Sequence, residues 1–149
     1  EFHEREKSNM VACFIGHRKT SINKTFILRL ENCITKLITC DNVDTFYSAA
    51  EANSMYMLQT VTEFKKNYPH IKRVYVRASY PFIDETYKKY LLGFYDETYI
   101  PDKVIYAGKA AYVERNKYLI DKADVCIFYF NENYQPPLTL SKVKQKNSY

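Results

Sequence analysis

Short apolar runs alternate with amphipathic segments along most of this chain. Residues 11–15 ("VACFI") form a continuous apolar run, as in a strand that is covered on both faces. Residues 24–39 repeat apolar side chains at helical spacing, which predicts a helix. A helix between two strands allows the chain to cross back, so that the second strand runs parallel to the first. The alternation of strands and helices therefore predicts a mainly parallel sheet.

The same pattern predicts the other elements of the domain. Further strands are expected at 43–47, 72–78, 104–106 and 124–130, and further helices at 54–68, 84–99 and 111–122. Together these elements indicate an α/β, Rossmann-like three-layer domain with a mainly parallel sheet of about five strands. Ligands of such folds collect at the carboxyl ends of the strands, so functional residues are sought there.

The alternation covers residues 10–130, which at this length predicts one domain. Residues 1–9 are charged and precede Met10, so we expect them to be an added or disordered segment ahead of a natural start. Residues 131–149 are polar, contain Pro136 and Pro137, and end in a lysine-rich stretch. They predict a disordered tail or a truncated end without a closing strand or helix.

Composition argues against several classes of partner. The 22 basic residues exceed the 17 acidic ones slightly and are dispersed, which permits an anionic ligand but does not indicate nucleic acid. No apolar run is long enough to cross a membrane, so no membrane partner is expected. The histidines and cysteines show no metal-ligand spacing, and we expect neither a metal nor a cofactor. The cysteines predict buried reduced thiols, which are typical of a cytoplasmic protein.

The stretch "CFIGHRK" is the first candidate for a binding site. Gly16 stands where the first strand turns towards the first helix, and glycine allows a ligand to approach the backbone closely. His17 and Arg18 follow at the strand's carboxyl edge, where an arginine can bind a phosphate or carboxylate through two hydrogen bonds. A single glycine is a weaker signal than a three-glycine fingerprint. The alternative is a turn glycine followed by solvated basic residues.

The second candidate lies in "YVERNKYLIDKADVCIFYF", where Glu114, Arg115 and Asn116 belong to the helix before the last predicted strand. If the first turns of this helix face the strand ends, Arg115 and Asn116 reach the same crevice as Arg18. The alternative is a solvated charged helix face, which is the commoner position for such residues.

These two motifs together resemble the SLOG superfamily, specifically its small bacterial members, which are related to the LOG phosphoribohydrolases and to the DNA-processing protein DprA. The resemblance spans residues 10 to about 130 and includes "KKNYPHIKRVYVRA". It implies a modified Rossmann fold whose strand ends bind a nucleotide or nucleotide-derived molecule. Gly16, His17 and Arg18 match the first family motif, and Arg115 and Asn116 match the late arginine-asparagine motif.

The chain departs from the family pattern in two loops. The segment after the second strand, "FYSAAEANSM", has no glycine, and the glycine-threonine loop expected after the last strand is absent from residues 131–149. Both departures weaken the expectation of catalysis more than that of the fold. Ligand binding, with Ser48 adding a polar contact, is therefore the first functional hypothesis.

Two other functions stay open. The first is an N-glycosidase of the LOG type, in which Arg115 orients phosphate and a carboxylate, Glu114 or Glu51, stabilises charge on the ribose. Neighbouring helix positions point about 100° apart, which argues against Glu114 acting together with Arg115. The second is an interaction module or homo-oligomer whose contact surface uses an aromatic helix face, formed by Tyr87, Tyr90, Leu91 and Phe94.

Overall fold

The computed structural model describes residues 9–16, 23–49, 54–79, 82–129 and 138–142. The strands of this part of the chain are β1 (Met10–Gly16), β2 (Val43–Ser48), β3 (Lys72–Val76), β4 (Glu97–Tyr99), β5 (Val125–Tyr129) and β6 (Leu138–Lys142). The helices are α1 (Lys24–Thr39), α2 (Ser54–Asn67), α3 (Glu85–Leu92), α4 (Asp102–Ile105) and α5 (Ala111–Lys122), with a 3₁₀ turn at Gly108–Ala110.

The six described strands form one sheet in the order β4-β3-β2-β1-β5-β6. The first five strands of this order run parallel to one another, and β6 is antiparallel to β5. The predicted Rossmann-like α/β fold with a mainly parallel sheet is therefore confirmed. Strand order reverses between β1 and β5, and such a reversal opens a crevice at the carboxyl ends of the strands.

Two apolar clusters hold the helices against the sheet. The first joins α1 and α2 to one face, where Phe14 of β1 and Phe46 of β2 stack with ring centroids 5.9 Å apart. The second lies on the other face, where Leu119 of α5 packs against side chains from β1, β3 and β5. The expected helix at 24–39 is confirmed with the same bounds, and its periodic apolar residues are buried: Phe26, Leu30, Ile34, Leu37 and Ile38.

The region between β3 and α5 differs from the prediction. The expected helix at 84–99 ends at Leu92, and Glu97–Tyr99 is strand β4 rather than helix. The prediction of a strand at 104–106 is wrong. Val104 belongs to a short helix, α4, and its side chain is buried. Strand β4 is short and polar, and the exposed backbone edge of β3 supplies its partner: the Arg77 N–H donates to the Tyr99 carbonyl at 2.9 Å.

The end of the chain also differs from the prediction. Residues 138–142, expected to contain no strand, form β6 and pair with β5 from Val125↔Lys142 to Tyr129↔Leu138. Alternation in "LTLSK" is too brief to distinguish a strand from a tail, whereas the open edge of β5 offers it a full row of hydrogen-bonding partners.

Candidate functional site

The first predicted motif is described only in part. Gly16 is the last residue of β1 and pairs with Tyr129, the last residue of β5, so it lies at the carboxyl edge beside the reversal in strand order. His17, Arg18 and Glu51 lie outside the described residues. The expected approach of Arg18 to Arg115 therefore stays a prediction.

Arg115 is buried at the same edge of the sheet. Only 3% of its surface is exposed to solvent, although its side chain ends in a charged guanidinium group. Nη1 donates to the Ala49 carbonyl at 3.3 Å, just beyond the end of β2, and Nε donates to Asn116 Oδ1 at 3.1 Å. The guanidinium carbon also lies 5.4 Å from the centroid of the Tyr112 ring. A solvated position, the alternative considered for this residue, is thus wrong.

The packing of α5 explains why Arg115 points inward. Leu119 lies one turn later on the same face and is fully buried against the sheet. Tyr118 adds a second attachment, because its hydroxyl is 2.6 Å from the Tyr99 hydroxyl of β4. With the helix held in this orientation, the residue four positions before Leu119 reaches the end of β2.

Arg77 is a second buried arginine, which sequence reasoning missed. It directly follows β3, is 8% exposed, and its Nε donates to Thr98 Oγ1 of β4 at 3.2 Å. Burying a cation costs free energy unless partners compensate its charge, so the burial of Arg77 depends on the partners that surround it. The signal was present in "KRVYVRA", where the second arginine lies near the carboxyl end of the strand predicted at 72–78.

Tyr75 lies within the electrostatic reach of both buried arginines. Burial is the main factor that raises the pKa of Tyr75, and the nearby Tyr87 phenol adds to it, whereas the positive charges of Arg115 and Arg77 act in the opposite direction. The Tyr75 ring also packs against Tyr95, with centroids 5.1 Å apart. The edge of the sheet therefore combines two cations with aromatic rings.

Ser48, a predicted polar contact, is the buried last residue of β2. Its hydroxyl is hydrogen-bonded to Tyr95, where burial raises the phenol pKa to about 12 and the bond from Ser48 acts in the opposite direction. The cavity beside these two side chains has a volume of about 10 Å³. Because that volume holds no more than about one water, the cavity beside Ser48 has no room for a nucleotide.

Glu114 faces a different direction from Arg115. Its carboxylate lies 3.4 Å from Nζ of Lys117, one turn along α5, while Arg115 contacts the end of β2. This arrangement agrees with the angle between neighbouring helix positions. Glu114 and Arg115 therefore do not form a catalytic pair in this structure.

A larger groove of about 660 Å³ lies away from the predicted site, between α1 and α2. Ile27 and Phe64 supply apolar walls, and Glu31 and Glu63 supply carboxylates. Two acidic groups make this groove a poor match for the anionic ligand that the sequence predicts.

The aromatic face of α3 is divided between core and surface. Leu91 is buried, whereas Tyr87 and Tyr90 are exposed, Tyr90 to 62%, and so is Phe94, two residues beyond the end of α3. The Tyr87 and Tyr90 rings stack with centroids 6.2 Å apart, and Tyr90 meets Phe94 edge-on at 5.2 Å. Three adjoining rings therefore remain on the surface, as the interaction hypothesis requires.

Comparison with family models, with curated proteins and with solved structures finds no match to this chain. None of the helices in the described ranges combines the length and apolar character needed to cross a membrane. Across the same residues, histidine, cysteine and acidic side chains form no group of three suited to a metal ion.

Proposed function

We propose that this protein binds a nucleotide or a nucleotide-derived small anion at the carboxyl ends of β1, β2 and β3. The observation that carries the proposal is the buried guanidinium of Arg115, which α5 brings to the end of β2. Arg77 adds a second buried cation at the end of the neighbouring strand, β3. Kinship with the SLOG superfamily is part of this proposal, because the resemblance implies a ligand at the same strand ends.

The arrangement suits a phosphate-bearing ligand for two reasons. Arginine presents parallel N–H groups that match two phosphate oxygens, and the hydrogen bonds to Ala49 and Asn116 orient Arg115 before a ligand arrives. The ring of Tyr112 lies beside the same guanidinium and offers an apolar face on which a base can stack.

Thermal unfolding against a panel of nucleoside phosphates and sugar phosphates tests the proposal. A ligand present at 100 times its dissociation constant stabilises the folded state by about 2.7 kcal/mol, which is a measurable rise in melting temperature. No shift with any compound in the panel would contradict the proposal.

A matched pair of variants links binding to the buried guanidinium. Arg115→Gln removes the positive charge and the planar guanidinium with its parallel N–H donors. We expect it to abolish the ligand-dependent rise in melting temperature. Lys117→Gln removes an equal charge from an exposed position two residues away and should leave the rise intact. Arg115→Lys, which keeps the charge without the planar fork, should retain only part of the effect. Circular dichroism checks that each variant is folded, and equal loss in Lys117→Gln would contradict a specific role for Arg115.

The N-glycosidase hypothesis uses the same site but needs a carboxylate beside Arg115. Glu114 is engaged with Lys117, so Glu51 is the acid that this hypothesis requires. Release of free base from adenosine monophosphate by the wild type, and its loss in both Arg115→Gln and Glu51→Gln, would establish the enzyme. Binding without base release would leave a ligand-binding domain.

Self-association through α3 is a second candidate function, favoured by the exposed rings of Tyr87, Tyr90 and Phe94. A second copy of the chain could cover these rings in a symmetric contact. Light scattering coupled to size exclusion should give a dimer mass for the wild type and a monomer mass for Tyr90→Lys. Tyr106→Lys, which changes an exposed tyrosine outside α3, is the control. A wild-type monomer at every concentration would contradict self-association.

A further inference from the structure

Two cysteines outside the proposed ligand contacts face each other inside the sheet. Cys13 of β1 and Cys126 of β5 are register partners in the parallel pairing, and their sulfur atoms lie 3.1 Å apart. Both belong to the apolar cluster on the α5 side of the sheet, and their exposed fractions are 0% and 1%. Their side chains therefore project from adjacent strands towards the same face.

This placement meets the backbone requirements of a disulfide. Neighbouring strands are about 4.8 Å apart, which is inside the range of about 4.4 to 6.8 Å found between the Cα atoms of disulfide-bonded cysteines. Closing the present sulfur separation to a bond of about 2.05 Å needs a side-chain movement of only about 1 Å. The two strands can therefore keep their register when the bond forms.

The other two cysteines have no comparable geometry. Cys33 is half-buried on α1, and Cys40 is exposed just after the same helix. Seven residues along a helix correspond to about 10 Å, which is beyond the reach of a disulfide.

We propose that Cys13 and Cys126 are a redox-active pair that a peroxide converts reversibly into a disulfide joining β1 to β5. One thiol loses its proton and attacks a peroxide oxygen as the thiolate, and the O–O bond breaks. A sulfenic acid forms, and the departing hydroxide takes up the proton and leaves as water. The second thiol then attacks the sulfenic sulfur, the S–S bond forms, and the S–O bond breaks to release a second water. In total, the two thiols lose two electrons and two protons, and hydrogen peroxide is reduced to two waters.

A hydrogen bond joins the two thiols, and either sulfur can be its donor. Burial acts to raise the pKa of both thiols. Because this hydrogen bond can run in either direction, either thiol can attack the peroxide, and its partner then resolves the sulfenic acid. Because both sulfurs are buried, we expect the oxidant to reach them during local opening of the sheet rather than in the closed state.

Peptide mapping of the native full-length chain tests this pair directly. Trypsin places the four cysteines in four different peptides, 8–18, 30–36, 37–65 and 123–142, so that each linkage has its own mass. After treatment with hydrogen peroxide and alkylation of the remaining thiols, we expect 8–18 joined to 123–142. The joined species should be two hydrogens lighter than the separate peptides and should separate on treatment with dithiothreitol.

The exposed Cys40 serves as the internal control for the oxidant. If Cys40 is fully oxidised while Cys13 and Cys126 both remain open to alkylation after unfolding, the proposal is wrong. A link that involves Cys33 or Cys40 instead would also overturn it. The double variant Cys33→Ser/Cys40→Ser should keep the link, and Cys126→Ser should lose it. Since the double variant leaves the buried pair intact, it gives a result even if Cys126→Ser fails to fold.

Discussion

Asp96 is the shared acceptor of a small polar network between α2, β3 and the turn before β4. One of its carboxylate oxygens accepts from the Arg73 N–H at 2.8 Å and from Arg73 Nε at 3.1 Å, and the other accepts from Lys65 Nζ at 2.8 Å. Burial by itself would raise the pKa of Asp96, but these hydrogen bonds outweigh burial and lower it to about 2. A single carboxylate thus joins the residue directly before β4 to α2 and β3.

We expect the free energy of unfolding to depend on the charge of Asp96. Because the folded pKa is about 2, below the unfolded value of about 3.9, the carboxylate stabilises the fold above about pH 4. That contribution is lost as the pH falls towards 2. Since the network is partly exposed and screened by solvent, its size should be about 1 kcal/mol.

Urea unfolding of Asp96→Asn over this pH range measures the effect. The variant should be less stable than the wild type at pH 7, and the difference should shrink as the pH falls towards 2. Asp121→Asn, an exposed carboxylate on α5, is the control and should follow the wild type. An identical pH dependence in wild type and Asp96→Asn would contradict the role assigned to this network.

At the scale of elements, two features of the sequence stabilise α1: a capping residue at its start and a stripe of buried apolar residues along its length. Asn23 has extended backbone geometry, and its side-chain oxygen accepts from the Phe26 N–H at 2.8 Å. This hydrogen bond satisfies a donor that the first turn of a helix otherwise leaves unpaired. The buried stripe that follows holds the helix on the sheet.

Asn23→Ala should lower the free energy of unfolding by about 1 kcal/mol, because it removes the cap without changing the buried stripe. Asn23→Asp keeps an acceptor at the same position and should have nearly wild-type stability. Chemical unfolding of the three proteins provides the comparison. Equal stability of Asn23→Ala and the wild type would show that the cap contributes nothing.

At the scale of the whole molecule, β6 protects an open edge of the sheet. All five residues of β5 pair with β6, so β5 has partners on both sides. Without β6, the backbone groups on the outer edge of β5 would have only water or another chain as partners.

Deleting residues 131–149 should therefore lower the free energy of unfolding by about 3 kcal/mol, at a net value of about 0.5–1.5 kcal/mol for each lost hydrogen bond. Deleting only residues 143–149 keeps β6 and should change stability little. Urea unfolding distinguishes these outcomes, and equal stability of both truncated proteins would contradict a structural role for β6.

The sequence predicted the elements whose information is local. The stripe of α1, the apolar run of β1 and the apolar run of β5 each contain enough buried side chains to determine helix or strand without knowledge of their neighbours. In contrast, β4 and β6 are short and partly polar. They are strands because the edges of β3 and β5 offer backbone partners, and no local pattern contains that information.

The candidate site divides in the same way. The sequence by itself placed Gly16 at the end of the first strand and Arg115 in the helix before the last predicted strand, since both patterns are readable along the chain. Only the tertiary structure decided that Arg115 and Arg77 are buried near one tyrosine, and that Cys13 faces Cys126. Burial and side-chain distance depend on strand order and helix rotation, which arise from packing between segments far apart in the chain.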